Sequence, residues 1–275
     1  MDIIFLGTNG WYDSPTGSTI CTLISSEKYH ILLDAGNGLY KADRYIKDDL
    51  PVFLFLSHFH LDHIAGLHVL TKFSFPGLTI LGQKETAQVL NTIVNEPFTV
   101  PLDRQPYPVE IRELSPGPYK LPFPLDCRFL RHASPCLGCR LELDGKIIAY
   151  IPDTGPCENA VLLAEDADLM IAECAFLPGE KSEAWPHLSP QDAADIAGLE
   201  AVLVEEDVAE KGEGRELRPD RDDPVEGGVA ERRGAALRQI PICRNAGSRA
   251  RRDRSISCHL RPSASIQRCA YHAGA

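Results

Sequence analysis

Residues 51–63 read PVFLFLSHFHLDH, a strand-length apolar run that stops abruptly at three histidines and an aspartate. A strand that is apolar at successive positions has no face to give to water, so it belongs inside a sheet covered on both sides. That requirement points to an α/β layered domain with helices packed outside the sheet. The polar residues then fall in the loop beyond the strand's C-terminal end. His58 and His60 are two apart, so in extended backbone their side chains leave on the same side. Asp62 and His63 come at the first turn of the next helix and point back toward the same space. Imidazole nitrogen and carboxylate oxygen are donors that zinc accepts readily, and the motif holds no thiolate. The alternative is a polar loop whose histidines cap a helix. Four donors within six positions argue against it.

The rest of the first 200 residues alternates in the same manner. DIIFL, STICTLIS and YHILLD read as successive strands, and HIAGLHVLTKF and KETAQVLNTIV as helices. DCRFLRH, GCRLELD and KIIAYIPD are strands again, with LDGK a hairpin turn, and DLMIAE is one more buried strand. SPQDAADIAG opens a helix with Ser189 as N-cap and Pro190 at its first position.

Composition divides the chain. Residues 1–199 hold 14 Lys and Arg against 26 Asp and Glu, a net charge of −12, whereas residues 200–275 hold 14 against 13. Of the 20 aromatic residues only Tyr271 lies after residue 200, and from Arg244 onward seven arginines face a single Asp253. So few aromatics leave the second part little with which to build a core of its own. The acidic first part argues against a protein that lives on nucleic acid, since phosphate binding needs local basic surface. Asp2 directly follows Met1 and the first apolar run ends at Gly7, so no signal peptide is expected. No run reaches the roughly 18 apolar residues of a membrane span, and no membrane partner is expected. Nine scattered cysteines suit reduced thiols and a cytoplasmic location. Cys136 and Cys139 in CLGC lack a second pair to complete a four-sulfur site, and they read as buried structural thiols.

HFHLDH resembles the H-x-H-x-D-H signature of the metallo-β-lactamase superfamily, dinuclear metallohydrolases built as an αββα four-layer sandwich. The resemblance implies a third histidine ligand at the end of a later strand, where His132 stands in RFLRHASP, and a bridging aspartate, where Asp153 stands in IAYIPDTG. It implies that His58, His60 and His132 bind one metal, that Asp62 and His63 bind the second, and that Asp153 bridges both. Two divalent ions are expected, zinc first and manganese as the alternative. Asp34 in LLDAGNG matches a family aspartate that supports the ligands, although a turn residue at a strand end explains it equally well. Redox di-iron members of the superfamily carry glutamate where this chain has His60, so a hydrolase is implied.

FLGT, ADLMIAECAF and HLSPQDAADIA narrow the resemblance to the ribonuclease Z branch and its phosphodiesterase relatives, over residues 1 to about 197. In that branch His187 would protonate the leaving group and Glu173 would orient it, while Asp62 takes a proton from the attacking water. Ribonuclease Z proper places a long RNA-gripping arm between the third histidine and the bridging aspartate. Here only 21 positions separate His132 from Asp153. A small phosphodiester therefore competes with an RNA 3′ end as substrate, and a homodimer is expected because dimers are common in the branch. Rival readings are a lactone or thioester hydrolase on the same site and a metal-binding protein without turnover.

The branch also expects one more histidine beyond the last helix. LEAVLVEED stands there instead, and the later histidines are His259 and His272, both in the basic tail. The domain is therefore read as residues 1–197, with 198–275 as an atypical tail in which the sandwich is incomplete or disordered. A shifted reading frame in a GC-rich gene would produce its Arg, Gly and Ala bias. Solvent, Glu205, Glu206 or Asp207, or His259 reaching in from the tail, would have to complete the second metal site. Without its last strands, the domain would expose sheet edge and apolar surface.

Overall fold

The computed structural model describes residues 1–198 and, as backbone strands, residues 238–243 and 257–259. Five N-terminal strands, β1 (Asp2–Gly7), β2 (Cys21–Ser25), β3 (His30–Leu33), β4 (Val52–Leu56) and β5 (Leu78–Gln83), are followed by β6 (Val109–Leu114) in one sheet. The chain then builds a second sheet from β7 (Gly117–Lys120), β8 (Pro124–Phe129), β9 (Leu137–Leu143), β10 (Lys146–Ile151) and β11 (Leu169–Cys174). The later segments join as β12 (Arg238–Cys243), antiparallel to β11, and β13 (Ser257–His259), parallel to β1. The sheet orders are β13-β1-β2-β3-β4-β5-β6 and β12-β11-β10-β9-β8-β7.

β4 shows why its sequence is apolar throughout. Phe53 and Phe55 face the second sheet, where Phe55 meets Tyr150 edge-on at 6.4 Å and shares a core with Leu125, Leu141, Ile148 and Ile171. Val52, Leu54 and Leu56 face the other way, into a core closed by Leu39, Leu67, Leu70 and Leu90 from helical segments. A third core lies outside the second sheet. There Ala149, Ile151 and Ala172 pack on Leu163 of helix α3 (Glu158–Ala164) and Ile196 of α4 (Pro190–Ala197). Helix, sheet, sheet and helix thus stack in four layers, as expected from the sequence. Each fully buried Leu, Ile or Phe contributes roughly 1.5–3 kcal/mol to that stacking.

The LDGK turn joins β9 to β10 with Asp144 at φ 51° and Gly145 at φ 72°, the backbone that an Asp-Gly pair adopts most easily in a two-residue hairpin. Helix α4 starts at Ser189, whose hydroxyl accepts from the Asp192 amide while the Asp192 carboxylate accepts in return, and it ends at Gly198 with φ 64°.

The helix expected over residues 63–73 differs. Helix α1 (Leu61–Ile64) makes one α-turn, and Ala65–Lys72 continues as a 3-10 helix. Its first turn is tied to the loop after β3: the Ala35 amide donates to His63 O, and the Gly66 amide to Ala35 O. The approach is so close that a Cβ on Gly36 would lie 2.1 Å from the Asp62 carbonyl oxygen. Gly36→Ala is therefore expected to cost roughly 1–3 kcal/mol in urea unfolding, because a rigid backbone must move to admit the methyl.

Strands β5, β6 and β7 and helix α3 were not anticipated. β6 is half exposed, and β7 is short and carries a proline, so neither has the unbroken apolar run that marked β4. In the tail, β12 lays backbone along β11 and β13 along β1. Among the described residues, no helix is long and apolar enough to cross a membrane.

Candidate metal centre

Strands β8, β10 and β11 run in one direction and deliver their C-terminal ends to one rim of the second sheet. β4 delivers its end to the same rim from the first sheet. The Leu137 amide donates to Ser57 O at 2.9 Å, joining the sheets there. An isolated bridge between Arg131 and Gly155 draws the loops after β8 and β10 together. His58, His132 and Asp153 are the residues placed at these ends.

Donor atoms of His58, His60, His132 and Asp153 all lie within 4.8 Å of one another. His58 Nε2 and His60 Nδ1 are 2.9 Å apart, and His132 Nε2 is 3.3 Å from the same His60 atom. Imidazoles packed nitrogen to nitrogen resist protonation. Burial pushes His58 well below the ordinary histidine value, lowers His60, and brings His132 to about 4. Neutral imidazoles keep their lone pairs, so three nitrogens and a carboxylate converge as a divalent cation requires. The donor set fits a metal ion.

Asp153 faces two ways. Its Oδ2 is 3.8 Å from both His58 Nε2 and His132 Nε2, and its Oδ1 is 3.2 Å from His63 Nε2. His63 Nε2 in turn lies 3.7 Å from Asp62 Oδ2. Burial works against ionisation at both Asp153 and His63, but their mutual attraction prevails. Asp153 is held well below the usual carboxylate range, and His63, pulled also by Asp34, well above the usual imidazole range. Asp153 Oδ2 thus faces His58 and His132 and its Oδ1 faces His63, whose ring packs 4.1 Å from that of His58.

Beneath these groups Asp34 is fully buried. Its Oδ1 accepts from the Ser57 amide at 2.7 Å, and its Oδ2 accepts from Ser57 Oγ at 2.7 Å and Tyr150 Oη at 2.6 Å. His63 Nδ1 lies 2.7 Å from the same Oδ2. Burial and Asp34 push the Tyr150 phenol well up, so it remains a donor. Asp34 also sits at φ 56°, a left-handed conformation that aspartate tolerates better than most residues. We expect Asp34→Ala to cost roughly 3–5 kcal/mol in denaturant unfolding, since it strands three buried side-chain partners, Ser57, His63 and Tyr150. Asp34→Gly, free of the backbone penalty, should be less damaging by about 1 kcal/mol.

Glu173 is buried at the end of β11, where it accepts from the amides of Thr154, Ala175 and Leu188. Its Oε1 lies 2.9 Å from His187 Nδ1. Burial raises Glu173; at His187 burial is outweighed by Glu173, and its value is raised too. With Nδ1 engaged, His187 Nε2 is buried with no partner among the described residues, and the ring lies 5.5 Å from that of His132. The sequence-expected residues His58, His60, Asp62, His63, His132, Asp153, Glu173 and His187 are thus gathered at one rim. Of the tail residues considered, His259 belongs to β13 as backbone, and Glu205, Glu206, Asp207 and His272 lie outside the described residues. Cys136 and Cys139 are buried free thiols, pushed well up by burial; Cys136 Sγ lies 3.7 Å from His58 Nδ1.

Sequence reasoning passed over two tryptophans. Trp185 stacks on His60 at 5.4 Å and 12°, and Trp11 stands 5.9 Å from Trp185. The Trp11 amide donates to Asp62 Oδ2 at 2.8 Å. The available signal was position: Trp185 lies two residues before His187, and Trp11 ends the turn after β1.

Residues 29–201, more than half of the chain, match the beta-lactamase superfamily domain. A ribonuclease Z from Macrococcus caseolyticus (strain JCSC5402) is 27% identical over 266 residues, covering 74% of this chain and 86% of its own. A probable metallo-hydrolase, YhfI, from Bacillus subtilis (strain 168) is 25% identical over 207 residues, covering 72% and 82%. The crystal structure of the short form of human tRNase Z superposes with a TM-score of 0.59 at 22% identity, covering 72% of this chain and 88% of that one. The four-layer architecture, the converging donor set and the matched residues 29–201 agree: this chain belongs to the beta-lactamase superfamily.

Proposed function

We propose that the chain is a metal-dependent phosphodiesterase of ribonuclease Z type acting on a small phosphodiester. The observation that carries this reading is Asp153, whose Oδ2 faces His58 and His132 and whose Oδ1 faces His63, with His187 Nε2, which has no partner among the described residues, close to His132. His58, His60, His132 and Asp153 would hold one divalent ion, and Asp153, Asp62 and His63 a second. Ions bound there would supply an activated water and screening of the phosphoryl charge. Asp62, fixed by the Trp11 amide, can accept the proton of the attacking water. His187 can deliver a proton from Nε2 to the departing oxygen, and Glu173 holds the ring in place and favours its protonated form. Relatives named ribonuclease Z support the phosphodiester class. The interval between His132 and Asp153, filled by the β9–β10 hairpin with no long arm, supports a small substrate.

The test uses full-length protein purified without chelator. Metal per chain is counted by inductively coupled plasma mass spectrometry, and turnover of bis(p-nitrophenyl) phosphate is compared with that of thioesters and lactones. Two metal ions and a preference for the phosphodiester are expected. A preference for thioesters or lactones would move the assignment to carboxylic ester chemistry. Bound metal with no rate on any ester would overturn the enzyme reading.

A further inference from the structure

The chain has two tryptophans, and both stand at the mouth of the candidate metal centre. Trp185 gives one face to His60, and its ring is 5.7 Å from that of His132 and 6.1 Å from that of His187. Trp11 leans on Trp185 at 60° and is 67% exposed. Trp11 also holds a left-handed backbone, φ 57°, which is costly for a bulky side chain. That conformation accompanies two contacts at once: the amide reaches Asp62 and the indole joins Trp185. The Trp185 indole is therefore held against His60, and Trp11 is tied through its amide to Asp62 and through its indole to Trp185, while Trp11 leaves most of its surface open to solvent.

Resting on the phosphodiesterase reading, we propose that Trp11 and Trp185 form a stacking platform for the nucleobase of a nucleotide phosphodiester. An indole accepts any base through its π-face, without hydrogen-bond readout. The phosphoryl group would then lie beside His187, and the base would rest against the exposed indole of Trp11. This commits the substrate class: a nucleotide, and not a sugar phosphodiester that lacks a base.

The experiment is titration of the full-length, zinc-supplied chain with AMP, with ribose 5-phosphate, which lacks the base, and with inorganic phosphate. It is followed by intrinsic tryptophan fluorescence, to which only these two residues contribute, and by calorimetry. AMP is expected to bind roughly tenfold more tightly than ribose 5-phosphate and to quench the emission. Trp11→Leu should weaken AMP roughly tenfold, to the level of ribose 5-phosphate, and Trp11→Phe should restore part of the difference. Equal affinity for the two phosphates, or a Trp11→Leu chain that keeps the preference, would overturn the platform. Turnover of bis(p-nitrophenyl) phosphate separates the two assignments. Hydrolysis without a base preference sinks the platform alone, and a base preference without any phosphodiester turnover supports the platform while sinking the phosphodiesterase.

Discussion

A His58→Ala chain is expected to lose at least about a thousandfold in phosphodiester turnover and to retain roughly one metal ion fewer per chain. His58 is completely buried at the end of β4, directly after Ser57, whose hydroxyl lies 2.9 Å from its Nδ1. Its Nε2 lies 2.9 Å from His60 Nδ1 and 3.8 Å from Asp153 Oδ2. Alanine removes that nitrogen and leaves two imidazoles and one carboxylate oxygen to hold the ion. Several kcal/mol of stabilisation of charge in the transition state depend on the ion, and each tenfold of rate corresponds to about 1.4 kcal/mol. The checks are metal content by mass spectrometry and kcat/KM on bis(p-nitrophenyl) phosphate. An unchanged metal count would remove His58 from the donor set.

His187→Ala should show a dependence on the leaving group that a structural role would not. For a phosphodiester with an alkoxide leaving group, kcat should fall roughly 10²–10⁴-fold, because the departing oxygen is strongly basic and needs a proton. For a p-nitrophenyl ester the loss should stay below about tenfold, since p-nitrophenolate departs without help. Glu173 keeps the Thr154, Ala175 and Leu188 amides in the variant, so its position survives the loss of the imidazole. The p-nitrophenyl rate doubles as the control for folding. Equal losses on both substrates would assign His187 to packing and not to proton delivery.

What was readable in the sequence was whatever depended on short-range pattern. The apolar run of β4 requires cover on both faces, and the structure supplies it with Phe53 and Phe55 on one side and Leu54 and Leu56 on the other. The spacing of His58 and His60 fixes their common side, and Ser189 with Pro190 marks the start of α4. Edge strands were harder. β6 exposes alternate charged residues and β7 is four residues long, so neither carries enough apolar pattern to declare itself. The two faces of Asp153 come from the closure of β10 against β4 across two sheets, a long-range fact with no local signature. Trp11 and Trp185 escaped for the same reason: 174 positions apart, they meet only because the loops after β1 and β11 share one rim. Asp34 was ambiguous between a turn residue and a supporting carboxylate, and it is both, left-handed in backbone and bonded to Ser57 and Tyr150.

The two-sheet origin of the donors has a consequence for the life of the protein. His58 and His60 hang from the first sheet, His132 and Asp153 from the second, so an ion held among them would rivet the halves of the sandwich. Metal binding would then add to the stability of the fold. Above the dissociation constant, each tenfold rise in the free divalent ion should add about 1.4 kcal/mol to stability, and the melting temperature should climb with it. A chelator would act as a denaturant aimed at one rim. In a cell short of metal, such a chain would be lost to proteolysis as well as idle, and its abundance would track metal supply.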